Sequence, residues 1–494
     1  MLRCPWQGRS DSSERPYKFN FMVTNHQSPS DPVPLQDLSS QQHGLQRQLS
    51  GRQLTMIAIG GAIGTGLFLG SGVAVQLAGP GVLVTYGVGA IIALIVTLAL
   101  AEMTVVRPVA GSFGVHADEF LHPWAGFSVR YSYWLAQVIA IGSEVVAASI
   151  YCRYWFPFVP QWVWIVMFSA TMVYVNSRTV SRFGEFEYWF AMIKVVTIIA
   201  FLGVGVGLIF GGRQGVALSF HDFLNSSKML PHGWSGVWFA SSLVIFSFLG
   251  VEIVAVTSGE AKDPALNIPR AMKGTVGRLV LFYVGAIFVL IMIVPHADIG
   301  IRESPFVTVF RAVGVPYAGG LMNFVVLTAA LSSMNANLYL TSRMLFSLSR
   351  SGFAPQLFGR VTHAGAPRNA LLASTGGLFA AVLMALFFPQ RAYLAMVGVA
   401  LFGGIFAWMI ILITHFFFRR RVAAETLQNL PLRLPFFPWS GMAALGALIA
   451  ITGSSAWVPE MQPLVWSAGP WLLAVTIFYW GWRRFRAKEL NGSR

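Results

Sequence analysis

Apolar residues along this chain gather into twelve runs, separated by short polar or charged stretches. Each is near the roughly 20 residues that one helix needs to cross a bilayer. The runs lie near 54–77, 80–106, 126–152, 160–176, 187–211, 236–258, 278–295, 318–342, 369–388, 393–418, 438–455 and 466–482. Helix is the expected form of each, because backbone surrounded by hydrocarbon must satisfy its own N–H and C=O groups. Two runs interrupt their own pattern. The first carries Gly60, Gly61, Gly64 and Gly66 within seven residues, and the sixth contains Phe246-Ser247-Phe248-Leu249-Gly250-Val251-Glu252. Broken helix at membrane depth is tolerated where protein or a polar ligand meets the freed backbone groups, and secondary transporters hold charged substrates in this way. The same glycines would also serve close helix packing.

The two interruptions are five runs apart. An odd offset reverses orientation in the membrane, so the pattern predicts an inverted repeat, about 50–211 and 236–418, with the first and sixth helices facing each other at the centre. The last two runs, about 438–482, fall outside it. The expected fold class is all-α integral membrane, with twelve transmembrane helices in one transporter domain over 46–490. A half-helix N-terminus offers unpaired N–H groups and partial positive charge to a carboxylate, and a half-helix C-terminus offers carbonyls to an ammonium. Two facing broken helices therefore suit the two ends of an α-amino acid.

Ionisable groups inside the runs sharpen this picture. Lys194 lies in the fifth run, where an ammonium costs at least about 2.5 kcal/mol. It must snorkel to the interface, find a carbonyl, or titrate; in the last case it couples a proton to the site. Glu144, deep in the third run, is either a relay or pocket group or a carboxyl hydrogen-bonded between helices. Glu252 is a second relay or pocket candidate. Glu102 is expected to be capped or paired near Arg107, Asn335 and Asn337 to bond across helices, and His415 to lie at the cytoplasmic interface.

Of 494 residues, 55% are hydrophobic and 11% charged, against about 25% charged in a soluble protein. A net charge of +15 would suit nucleic acid, but its placement speaks against that. With the N-terminus inside, Arg153, Arg213, Lys228, Arg302, Arg311 and Arg391 fall outside, and 27 of the 34 Lys and Arg fall on the cytoplasmic side. Both termini are therefore expected in the cytoplasm, by the positive-inside rule. Residues 1–45 are polar, lack the apolar core of a signal peptide, and read as a disordered cytoplasmic tail, with Met22 as an alternative start. Cys4 and Cys152 suggest no disulfide or metal site. No nucleotide-binding loop, zinc motif or nucleophile elbow is present, so neither enzyme nor cofactor is expected, and transport would draw on a gradient. Oligomeric state is not legible.

Several segments carry a family likeness: Gly60-Gly61-Ala62-Ile63-Gly64-Thr65-Gly66-Leu67-Phe68, Arg107-Pro108-Val109-Ala110-Gly111-Ser112-Phe113, the stretch from Phe183-Gly184-Glu185 to Ile193-Lys194, Gly259-Glu260-Ala261-Lys262-Asp263-Pro264 with Ile268-Pro269-Arg270-Ala271, and Thr341-Ser342-Arg343-Met344-Leu345-Phe346. In this order they resemble the bacterial amino acid permeases of the amino acid–polyamine–organocation superfamily, in its proton-coupled amino acid transporter branch. The resemblance runs from about Leu45 through the twelfth run. It implies a leucine-transporter-like 5+5 fold with alternating access. By carry-over, Ile63, Gly64, Thr65 and Gly66 would hold a substrate carboxylate. Carbonyls around Phe246, Ser247, Leu249 and Gly250, with Ile63, would hold the ammonium. Phe246 would cover the substrate, and Lys194 would stand where related carriers bind a second sodium ion. The implied function is proton-coupled symport of an L-amino acid, neutral or aromatic, at the inner membrane. An exchanger without net proton flux and an amino-acid-binding membrane sensor are the rivals. His116, where the family usually has tyrosine, and Arg130-Tyr131, where Gly-Trp is usual, depart from the pattern on the cytoplasmic side.

Overall fold

The structure, a computed structural model, describes residues 55–56, 59, 62–107, 109, 112–177, 180–211, 229–256, 264–296, 299, 303–312, 317–362 and 366–492. The expected tail 1–45 with Met22, the glycines Gly60 and Gly61, and the stretch Gly259–Asp263 lie outside the described residues. All described residues are helix or connection, with no strand among them. The helices are α1 (Ser71–Ala78), α2 (Val82–Val106), α3 (Ser112–Phe120), α4 (Pro123–Cys152), α5 (Gln161–Asn176), α6 (Val180–Phe210), α7 (Gly233–Phe239), α8 (Ser241–Phe248), α9 (Pro264–Ile293), α10 (Pro305–Ala312), α11 (Ala318–Arg350), α12 (Arg368–Ala373), α13 (Gly376–Phe387), α14 (Ala392–Arg421), α15 (Trp439–Ser454) and α16 (Gln462–Gly492).

Nine helical stretches among the described residues are long and apolar enough to cross a membrane. The difference from twelve runs has local causes. Gly66–Val106 joins the second half of the first run to the second run, divided only by a 3₁₀ turn at Gly79–Gly81, where Gly79 has φ +60°. The run near 160–176 forms a helix of 16 residues, and that near 278–295 has an apolar segment of only Leu279–Ile293.

Both predicted interruptions are present. Ile63 and Gly64 leave helical geometry, and the chain resumes as a π-helical turn, Gly66–Gly70, leading into α1. α8 ends at Phe248. Leu249 is extended, Gly250 has φ +107°, and a short helix, Ile253–Val256, follows. A positive φ favours glycine at position 250, because a Cβ there would clash with its own backbone. α8 packs against the turn Gly66–Gly70, so the two breaks lie side by side.

Around them, α4 packs along α14 and α11, and most of its side chains are buried. α15 and α16 are peripheral and expose Trp439, Ile449, Trp466 and Ile477. α6 likewise turns Trp189, Val196 and Ile199 outward while burying Glu187 and Lys194. Apolar side chains outside and charges inside are the arrangement that lipid solvation demands.

Candidate functional site

Three carbonyls and one N–H at the break in the first helix are each met by a side chain from elsewhere in the fold. The Ala62 carbonyl accepts from the Tyr283 hydroxyl at 2.7 Å, the Ile63 carbonyl from Lys194 Nζ at 2.9 Å, and the Thr65 carbonyl from the Tyr393 hydroxyl at 3.0 Å. On the other polarity, the Thr65 N–H donates to Glu144 Oε2 at 3.3 Å, and Ser333 Oγ donates to Glu144 Oε1 at 2.9 Å. Lys194 is fully buried, so it does not snorkel; its charge is stabilised by a carbonyl. An interrupted helix in hydrocarbon would otherwise leave these groups at several kcal/mol each.

Beside the break lies a small cavity. Gly64, Gly66, Phe246, Leu249 and Gly250 line it, along with Glu144. Close contact explains the small residues. A Cβ on Gly66 would stand 2.9 Å from Ser247 Cα, and one on Gly64 would stand 2.7 Å from Ser333 Oγ and 2.8 Å from Glu144 Oε1. Ile63, Thr65, Ser247 and Lys194 lie behind that lining, and Ser247 Oγ shares a hydrogen bond of 3.3 Å with the Tyr86 hydroxyl. The lining also includes Ala136, Ala140 and Ala400, with the amides of Gln137 and Asn337.

Glu252 is placed differently. It does not line the cavity; its carboxylate accepts from the Tyr133 hydroxyl at 2.6 Å, from Trp408 Nε1 at 3.1 Å and from the Gly250 N–H at 3.1 Å. It pins the break after α8 to α4 and α14. On α6, Glu187 is fully buried and accepts from Ser332 Oγ at 2.6 Å and from Asn335 Nδ2 at 3.1 Å, while Asn335 accepts from Asn176 at 2.7 Å. Asn335 thus bonds across helices as expected.

Arg107 pairs with Glu119, and Glu102 is paired, as expected. Its carboxylate accepts from His415 Nε2 at 2.7 Å, from Arg419 Nε and Nη2 at 2.7 Å each, and from the Leu434 N–H. His415 is buried in this cluster rather than lying at an interface. Arg130 is fully buried, donating to the Gly126 carbonyl at 2.9 Å and to Ser351 Oγ at 2.8 Å, with Asp118 at 3.4 Å. The Tyr131 hydroxyl donates to the Phe353 carbonyl at 3.0 Å, so the unusual Arg-Tyr pair joins α4 to the turn after α11. His116 is fully buried, and neither ring nitrogen has a hydrogen-bond partner among the described residues. Burial, with Arg107 nearby, pushes its pKa down to about 3, and burial raises those of Asp118 and Glu119.

Sequence reasoning missed Tyr283, Tyr393, Ser333 and Gln137. A tyrosine inside an apolar run carries no mark that separates a carbonyl cap from an interface anchor.

The amino acid permease family model matches residues 53–491. The chain belongs to that family. It is 38% identical over 446 residues to the uncharacterized amino acid permease YtnA of Bacillus subtilis (strain 168), covering 90% of this chain and 96% of that protein. It is 36% identical over 453 residues to the gamma-aminobutyric acid permease of the same organism, covering 92% and 97%. It is 35% identical over 446 residues to the aromatic amino acid transport protein AroP of Salmonella typhimurium (strain SL1344), covering 90% and 97%. Members of the amino acid permease family transport amino acids and are not enzymes, so this family member is a multi-pass membrane protein whose substrate class is the amino acid.

Proposed function

We propose that the chain is a proton-coupled symporter that brings an L-amino acid with a neutral or aromatic side chain into the cell across the inner membrane. The observation that carries the coupling is the bond from Lys194 Nζ to the Ile63 carbonyl at 2.9 Å. It ties a titratable group to the backbone that would hold substrate. Loss of its proton would weaken that bond and loosen the break. Twelve spans in a 5+5 inverted repeat, with both termini cytoplasmic, complete the reading, and the side-by-side breaks near residues 63–66 and 249–252 support it.

In this reading the backbone at Gly64, Thr65 and Gly66 takes the substrate carboxylate, and carbonyls at Ile63, Phe246, Ser247, Leu249 and Gly250 take the ammonium. Phe246 closes over the bound molecule. A neutral side chain is supported by a wall of alanines and amides, in which Glu144 is the single ionisable lining residue. Uptake of a labelled amino acid mixture into proteoliposomes tests the function. An inward proton gradient should drive accumulation above the outside concentration, and a protonophore should collapse it. Exchange that ignores the gradient would make the chain an exchanger, and binding without movement would make it a sensor.

A further inference from the structure

The amino acid reading just given places a substrate carboxylate on the N–H groups that follow the first break. One of those groups is already engaged by a carboxylate of the protein. Glu144 accepts from the Thr65 N–H at 3.3 Å and from Ser333 Oγ at 2.9 Å, and its Oε1 lies 2.8 Å from where a Cβ on Gly64 would stand. It also lines the cavity together with Gly64 and Gly66. A helix N-terminus stabilises one anion, and two carboxylates a few Å apart in a dry site repel strongly.

We propose that Glu144 is a resident carboxylate that substrate displaces from the Thr65 N–H, and that it takes up one proton from water as the substrate carboxylate enters. Atoms and charge balance: one proton moves from bulk to a Glu144 oxygen, the site exchanges one anion for another, and no bond of the substrate changes. The other groups facing Glu144 are poor recipients. Lys194 already holds its proton in the bond it donates to the Ile63 carbonyl, so the proton taken up as substrate enters is additional to the one that the symport reading places on Lys194. Tyr283 and Tyr393 donate their hydroxyl protons to the Ala62 and Thr65 carbonyls. Tyr151 lies about two turns beyond on α4. A carboxylate is the remaining base in contact with the break. The role separates Glu144 from Glu252, whose carboxylate is fixed by Tyr133, Trp408 and Gly250 away from the cavity.

The proposal rests on the amino acid reading of the site, and the test separates the two. Calorimetry of the purified full-length chain, in two buffers of different ionisation enthalpy, counts protons taken up per substrate bound. L-phenylalanine and L-leucine are the first probes, followed by the remaining natural amino acids. The wild type should take up about one proton per substrate, with affinity falling about tenfold per pH unit once Glu144 is ionised. Glu144→Gln should bind with no proton uptake and a flat pH profile. Ser333→Ala, which removes one donor to the carboxylate, should keep the stoichiometry and move the fall in affinity to higher pH. Binding by wild type without proton uptake, or undiminished uptake in Glu144→Gln, overturns the role of Glu144 and leaves the symporter reading standing. Binding of no amino acid by wild type overturns that reading itself.

Discussion

Gly66→Ala is the smallest change that tests whether the two helix breaks work as one surface. The added Cβ would lie 2.9 Å from Ser247 Cα and 3.2 Å from both Ser247 N and Phe246 Cδ1. Carbon atoms settle about 3.5–4.0 Å apart, so the Leu249 break must retreat by roughly 0.6–1 Å. Because the nearest atoms are backbone, no rotamer change relieves the overlap. Overpacking of this kind costs about 1–3 kcal/mol of stability. The larger effect should be on transport, since a displacement near 1 Å at a binding constellation costs on the order of 10²-fold in rate. Gly87→Ala on α2 is the matched control: nothing lies within 4 Å of its Cβ, and alanine is the better helix former by about 1 kcal/mol. The assay is the initial rate of amino acid uptake into proteoliposomes, normalised to reconstituted protein. Gly66→Ala should lose at least about tenfold, and Gly87→Ala should match wild type. A Gly66→Ala protein with a wild-type rate, or equal losses in both variants, refutes the reasoning.

Three other outcomes follow from the same geometry. Glu102→Gln removes the charge that Arg419 and His415 share, and should cost about 3 kcal/mol, read as a lower melting temperature in detergent; an unchanged melting curve would show that the cluster is not cooperative. Glu252→Gln keeps one acceptor oxygen but cannot serve Tyr133, Trp408 and Gly250 together; it should cost about 1–3 kcal/mol and slow uptake, whereas wild-type uptake would show that the break holds itself. His116 stays neutral in the fold down to about pH 3, while the unfolded side chain takes a proton below its ordinary value near 6.5. The unfolded state binds more protons between these limits, so stability falls as pH falls, by about 2 kcal/mol at pH 5. His116→Phe should melt with a smaller difference between pH 7 and pH 5 than wild type, and an equal difference would remove His116 as the cause.

Features of this fold that rest on local chain chemistry were legible in the sequence; those that rest on partners far along the chain were not. Glycines around 60–66 and the Ser-Gly-Glu run at 247–252 announce weak helix wherever they occur, and the breaks are found there. Lys194 stands out because an ammonium in an apolar run needs a partner, but nothing local says that the partner is the Ile63 carbonyl, 131 positions away. Glu144 and Glu252 look alike in sequence, each two positions after a glycine in an apolar run. One lines the cavity and the other clamps a break, a difference set by Ser333 on α11 and by Tyr133 and Trp408 on α4 and α14. His415 reads as interfacial from its place beside three arginines, yet Glu102, 313 positions away, draws it inside. The division of Gly66–Val106 near Gly79 was visible as the boundary between the first two apolar runs, whereas its near-continuity as one helical stretch was not.

The central claim is that a proton at Lys194 couples to amino acid movement, and it is tested most directly by measuring accumulation and counterflow in the same proteoliposomes. Wild type and Lys194→Ala are compared, with and without an imposed inward proton gradient. The account predicts gradient-driven accumulation in wild type, its loss in Lys194→Ala, and counterflow exchange retained in both. Accumulation that survives in Lys194→Ala with its full dependence on the gradient would contradict it.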